Sequence, residues 1–158
     1  MIEIRPATLA DLEALLPLVR DYRVFYKRSH DAEHERAVME ANLREKRSAV
    51  FVAWKGERAA GFMQLFHYVS TVCLSPTVIL EDLFVDPEFR DAGVATLLLE
   101  HSLVYAETVG ASELHLETAV DNLAAQRVYE RCGWSREAKF YKYNAPAEAA
   151  TLAVREGG

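Results

Sequence analysis

The sequence predicts an α+β fold built on a mixed β-sheet, and three observations carry that expectation. Segments follow one another as strand, two helices, three strands, helix, strand, helix and strand. Gly56-Glu57 forms a tight turn between two β-rich runs, which makes those strands antiparallel neighbours. Later strands are separated by helical stretches, the pattern of crossovers between parallel strands. A chain of 158 residues, 51% hydrophobic and 27% charged, has the size and composition of one domain that buries its own core. Residues 1–145 are read as that domain, and 146–158, which drift toward Ala, Glu and Gly, as a C-terminal tail.

Ile2 to Pro6 alternate apolar and polar and open the chain as a strand. Thr8, with Asp11 three positions on, reads as a helix start. Leu12, Leu15, Leu16, Val19, Tyr22, Phe25 and Tyr26 then recur at three- and four-residue intervals. Pro17 removes a backbone donor within that helix and is expected to kink or split it. A second amphipathic helix is expected from about Asp31 to Lys46. Ala49 to Lys55 and Arg58 to Val69 are the hairpin strands, followed by a loop from Ser70 to Pro76.

Val78-Ile79-Leu80 and Leu83-Phe84-Val85 are apolar triplets interrupted by Glu81-Asp82. Strict alternation sends one acid to each face, and a buried, unpartnered carboxylate costs on the order of several kcal/mol, so the pair points to a need for an acid there. Asp86-Pro87 ends the strand, and a helix is expected from about Gly93 to Val109, closed by Gly110 at C′. Strand Glu113 to Thr118 follows, with Leu114 and Leu116 on one face and His115 and Glu117 on the other. Asp121 or Asn122 caps a last helix ending near Cys132-Gly133, and Trp134 to Tyr143 supplies one or two final strands.

Composition narrows the function classes. With 24 acidic against 18 basic residues the formal charge is −6, the wrong sign for a protein whose main work is neutralising nucleic-acid phosphates. Two cysteines, Cys73 and Cys132, make neither a disulfide framework nor a four-cysteine zinc site, and a reducing cytoplasmic setting is expected. No run approaches the roughly 18 to 20 apolar residues that cross a bilayer, and no membrane partner is expected. His30, Glu33 and His34 do not follow a metalloprotease His-Glu-x-x-His order, and no metal is expected.

The segment from Val85 to Ala95 runs from a strand end through a turn to a helix start with little side-chain cover around Gly93. First-turn amides and the positive end of the helix dipole suit such a segment to hold a phosphate or pyrophosphate. It is neither a Walker loop nor a Rossmann fingerprint, since Gly93 is its only glycine. An ordinary helix start is the alternative reading.

Arg90, Gly93 and Ala95, followed later by Asn122, Ala125, Tyr129, Gly133 and Trp134, resemble in order and spacing two signature blocks of the GCN5-related N-acetyltransferase superfamily. The resemblance covers Val78 to Tyr143 closely. Within the superfamily, Leu80-Glu81-Asp82-Leu83-Phe84-Val85 is most similar to strand four of the diamine and polyamine acetyltransferase branch.

The resemblance implies a GNAT fold, a mixed sheet with about four helices, in which strand four splays from the next strand at a bulge. Acetyl-CoA would enter that cleft as a surrogate strand against Leu83, Phe84 and Val85. The amides of Arg90, Asp91, Ala92, Gly93, Val94, Ala95 and Thr96 would hold the pyrophosphate, with Asn122 near the pantetheine. Asp91-Ala92 departs from the Arg, Lys or Gly often found there; Asp91 either caps the helix and points away or weakens cofactor binding by its charge. Tyr129 is the candidate acid for the leaving thiolate, its alternative being packing against the sheet. Glu81 is the candidate base, directly or through water, its alternative being a structural ion pair. Asp82 is a neighbouring charge or a contact for a cationic substrate, and the amide of Phe84 or Val85 would polarise the carbonyl. Asn122 is also read as a plain helix cap, and Tyr22, Phe25 and Tyr26 as core or as the border of the acceptor site. The activity implied is direct acetyl transfer in a ternary complex to a primary amine of a small cationic acceptor. A protein N-terminus or lysine, or a non-catalytic acyl-CoA sensor, is the alternative. Relatives of this kind are often homodimers through the later strands.

Overall fold

The computed structural model describes residues 1–147. The remaining residues of the proposed tail, 148–158, lie outside the described residues. The elements run β1 (Ile2–Pro6), α1 (Leu12–Phe25), α2 (Ala32–Arg44), β2 (Ala49–Lys55), β3 (Arg58–Ser70), β4 (Ser75–Val85), α3 (Val94–Thr108), β5 (Glu113–Leu116) and α4 (Leu123–Arg131). The sheet has the strand order β1-β2-β3-β4-β5. The first four strands are antiparallel, and β5 joins β4 in parallel after the α3 crossover. The α+β layout with a mixed sheet is the one expected.

Local chemistry explains most boundaries. The Thr8 amide donates to Asp11 Oδ2 at 2.8 Å and opens a single 3-10 turn that leads into α1. Of the two outcomes expected of Pro17, splitting does not occur: it lies inside the continuous α1, and the acceptor it leaves without a donor is the carbonyl of Glu13, an exposed residue. Asp31 caps α2 by accepting from the His34 amide at 3.1 Å. Gly56, at φ +61°, makes the hairpin turn.

The sheet separates two apolar layers. On one face Leu15 and Leu18 of α1 and Met39 of α2 pack on Val50, Val52, Phe62 and Phe84. On the other, Leu98 and Leu99 of α3 pack on Ala53, Met63, Leu65, Val78 and Leu80, with Val128 and Tyr129 of α4 joining them. Gly61 lets β3 approach β4 closely, since a Cβ there would lie 2.7 Å from the Phe84 carbonyl oxygen.

Two expectations at the end of the chain are corrected. Strand β5 stops at Leu116 rather than Thr118 because its partner bulges beyond Leu80, the last residue of β4 that it pairs. Trp134 to Tyr143 form no strand among the described residues. An extended segment needs a neighbouring strand to satisfy its backbone, and this one has none beside it.

Candidate active site

The site begins with one extra residue in β4. Gln64 of β3 faces Asp82 and Leu65 faces Leu80, so Glu81 is left without a partner across the ladder. The slip changes which face each side chain takes. Val78 and Leu80 before it share the α3 layer with Leu83 and Val85 after it, whereas Phe84 turns into the α1 layer. It also ends the pairing to β5 and leaves one edge of Glu81 to Val85 open. The splay at a bulge is the one the family resemblance implied.

Backbone alternation says which groups face that opening. The Asp86 amide donates to the Ala60 carbonyl at 2.9 Å and therefore points toward β3. Two residues back, Phe84 points the same way, while Leu83 and Val85 present their N–H and C=O outward. This corrects the expectation of a contribution from the Phe84 amide: the outward donors are Leu83 and Val85. The Arg90 Nε already donates to the outward Val85 carbonyl at 3.2 Å. Its guanidinium lies 5.7 Å from the Phe84 ring centroid.

After β4, the loop residue Asp91 takes φ +62° and Gly93 takes φ +77°, and α3 begins at Val94. Gly93 is the N-cap and supplies no side-chain acceptor, so the first amides of α3 remain free of capping. Asp91 is exposed and is not the cap, which removes one of its two expected roles. A Cβ on Gly93 would meet nothing within 4 Å, so space above this turn is open. Val94 is buried.

A cavity of about 140 Å³ opens where β4 and β5 part. Leu83, Phe84, Val85, Arg90, Ala95, Asn122 and Tyr129 line it, together with Tyr22, Phe25 and Tyr26. The gap thus joins the aromatic end of α1 on one face of the sheet to α4 on the other. Asn122 has both of its expected positions: its Oδ1 accepts from the Ala125 amide at 3.3 Å as the α4 cap, and it lines the cavity. Asp91, Ala92, Gly93, Val94 and Thr96 lie in the loop and first turn beside it. Glu81 and Asp82 are not on its wall. A second hollow of about 670 Å³, between β1, α2 and β3, contains none of the residues singled out from sequence.

Burial raises the Tyr129 phenol, and the nearby Tyr26 hydroxyl raises it further. Tyr22 is likewise raised, first by burial and then by Asp82 and Tyr26. Asp82 is raised by burial, against which hydrogen bonds from Gln64 and Tyr22 act. Gln64 Nε2 donates to Asp82 Oδ2 at 2.7 Å, while its Oε1 accepts from Asn42 Nδ2 at 2.9 Å and from the Ser48 hydroxyl at 2.6 Å. Sequence reading missed this buried polar chain. Its signal was present as one polar residue, Gln64, in the otherwise apolar run Ala60 to Leu65. His30, set aside as a metal ligand, instead pairs through Nδ1 with Glu35 at 2.9 Å.

Comparison with known proteins places this geometry. Residues 15–134 match the model of the Acetyltransferase (GNAT) family, and the chain belongs to that family. The uncharacterized N-acetyltransferase YhfO of Bacillus subtilis is 34% identical over 149 residues, 93% of this chain and 100% of that protein. A crystal structure of a probable acetyltransferase superposes with a TM-score of 0.87 at 37% identity, covering 91% of this chain and 97% of that one. Aminoglycoside N-acetyltransferase AAC(6')-Iy, solved in complex with CoA, superposes with a TM-score of 0.79 at 26% identity, covering 92% of this chain and 95% of its own. The protein is an acetyl-CoA-dependent N-acetyltransferase with the GNAT fold.

Proposed function

We propose that the chain transfers the acetyl group of acetyl-CoA directly to a primary amine of a small cationic acceptor in a ternary complex. The observation that carries this is the cavity at the parted strands, lined by Leu83 and Val85 of β4, Ala95 at the α3 start and Tyr129 of α4. The aminoglycoside-acetylating relative supports a small-molecule acceptor over a protein. No helix among the described residues is long and apolar enough to cross a membrane, and we place the enzyme in the cytoplasm as part of this proposal. The same reading makes residues 1–145 one catalytic domain and the protein a homodimer.

Acetyl-CoA supplies a thioester, whose carbonyl accepts an amine and whose thiolate is a good leaving group. Leu83 and Val85 would pair the pantetheine arm, Arg90 leaving the Val85 carbonyl to admit it, and the outward Val85 amide would polarise the carbonyl. The amides of Arg90 to Thr96 would take the pyrophosphate, and Asn122 would hold the arm from the α4 side. Glu81, exposed at the bulge, would pass the ammonium's first proton through water to solvent. The C–N bond then forms as C–S breaks. Tyr129 protonates the departing thiolate and is itself restored by the second proton shed by nitrogen. Its raised pKa keeps the phenol protonated at neutral pH, and the apolar surroundings that raise it also raise the thiolate beside it.

The test is acetyl-CoA binding by calorimetry together with free-thiol release in the presence of small primary amines. Tyr129→Phe is expected to bind acetyl-CoA as the parent does and to lose about 10- to 10³-fold in kcat. Unchanged turnover would remove Tyr129 as the acid, and no acetyl-CoA binding by the parent would overturn the cleft assignment.

A further inference from the structure

The acceptor end of the cavity is a continuous aromatic wall. Phe25 and Tyr26 meet edge to face at 5.3 Å, Tyr26 and Tyr22 at 5.1 Å, and Tyr22 lies 5.7 Å from Phe84. Tyr129 closes the far side. Phe25 and Tyr26 remain 53% and 45% exposed, so this wall has faces that nothing in the described residues covers. The one charged side chain among the described residues lining the cavity is a cation, Arg90. Asp82, a half-buried acid, lies behind the wall rather than on it, taking hydrogen bonds from Gln64 and from the wall residue Tyr22.

These features select among small amines. An aromatic face attracts a single ammonium and stacks on a flat apolar body. It offers no charged partner to a second ammonium, which would lose its hydration there without compensation. Apolar walls also favour the neutral form of the amine, the form that attacks. Resting on the transfer reading above, we propose that the acceptor is a monoamine carried on an aromatic or flat apolar body, rather than a polyamine or an aminoglycoside with several ammonium groups. Phe25 and Tyr26 determine that specificity by stacking on the body of the acceptor.

The experiment measures free-thiol release at fixed acetyl-CoA with 2-phenylethylamine, tyramine, spermidine and kanamycin. The kcat/KM for 2-phenylethylamine or tyramine is expected to exceed that for either polycation by about 10-fold or more. Phe25→Ala and Tyr26→Ala, both at exposed positions that the fold tolerates, are expected to raise the arylalkylamine KM about 10-fold while the acetyl-CoA KM moves less than about threefold. Preference for spermidine or kanamycin would overturn the acceptor class and leave the enzyme reading intact, as would variants that leave the arylalkylamine KM unchanged. Acetyl-CoA binding with no amine turned over would overturn the small-amine transfer reading and the acceptor class with it.

Discussion

Gln64 lies on β3 directly opposite Asp82 and uses its amide in two directions, donating to that carboxylate and accepting from Asn42 and Ser48. Replacing it with leucine would strand the buried Asn42 amide and leave Asp82 without a hydrogen bond that favours its charged form. We expect Gln64→Leu to lose about 2 to 3 kcal/mol in urea denaturation at neutral pH. The loss should be smaller at pH 4, and the sign follows from linkage. A carboxyl whose folded pKa lies above its unfolded value of about 3.9 contributes stability that is present below that value and disappears as pH rises through the folded pKa. Without Gln64 that upper limit moves higher, so the penalty grows toward neutrality. Equal losses at both pH values would mean that Asp82 does not feel Gln64. At this scale the sequence showed which residues are unusual but not how they divide. Alternation already sends Glu81 and Asp82 to opposite faces, but the bulge decides that Glu81 meets solvent while Asp82 joins a buried polar chain.

Helix α1 presents its aromatic end to the cavity because the turn after it is tied down. Glu35, buried in the first turn of α2, accepts from Arg23 Nη1 at 2.9 Å and from the Asp31 amide at 3.3 Å, and pairs with His30. The same Arg23 Nη1 donates to the Ser29 carbonyl at 2.9 Å, so both ends of the connection that includes Tyr26 converge on one carboxylate. Burial pushes the Glu35 carboxyl up, but Arg23, the Asp31 amide and His30 outweigh it and hold it below the usual carboxylate range. Its contribution is therefore present above an unfolded pKa of about 4.3 and is lost as pH falls through the lower folded value. Glu35→Gln should cost about 1 to 3 kcal/mol at pH 7, shrinking below about pH 4, with a raised KM for the acceptor amine as Phe25 and Tyr26 lose their anchorage. A stability loss independent of pH would show that the charge on Glu35 is not what holds the turn. Elements of this kind were legible where capping and periodicity agree, as in α2 with Asp31 and in the Gly56 hairpin. The clamp was not, since Arg23 of α1 and Glu35 of α2 become neighbours only after the two helices pack.

At the scale of the whole molecule, one surface is left uncovered by the described residues at the late end of the sheet. Strand β5 has only four residues and pairs on one side, with β4. Later in the chain, Phe140, Tyr141 and Tyr143 are 80%, 90% and 90% exposed in a segment that joins no strand among the described residues. One or two strands over Trp134 to Tyr143 were expected from the sequence. What it could not reveal was which chain supplies the partner, because a strand pattern specifies a buried face without naming the molecule that buries it. Three aromatic side chains in water, together with a sheet edge that no described residue pairs, are the composition of an interface and a cost to an isolated domain. A second copy adding its own late strands would cover both, and a stable interface needs roughly 1,200 to 2,000 Å² of buried surface, which aromatic residues supply efficiently. Sedimentation equilibrium at about 10 μM should therefore give twice the mass of the chain, and the double variant Tyr141→Glu/Tyr143→Glu should sediment as one chain, since opposed carboxylates in a core of rings carry an unpaired desolvation cost. If the parent protein sediments as a single chain at that concentration, the late segment folds back on its own sheet, and the exposed rings must find their cover within the molecule.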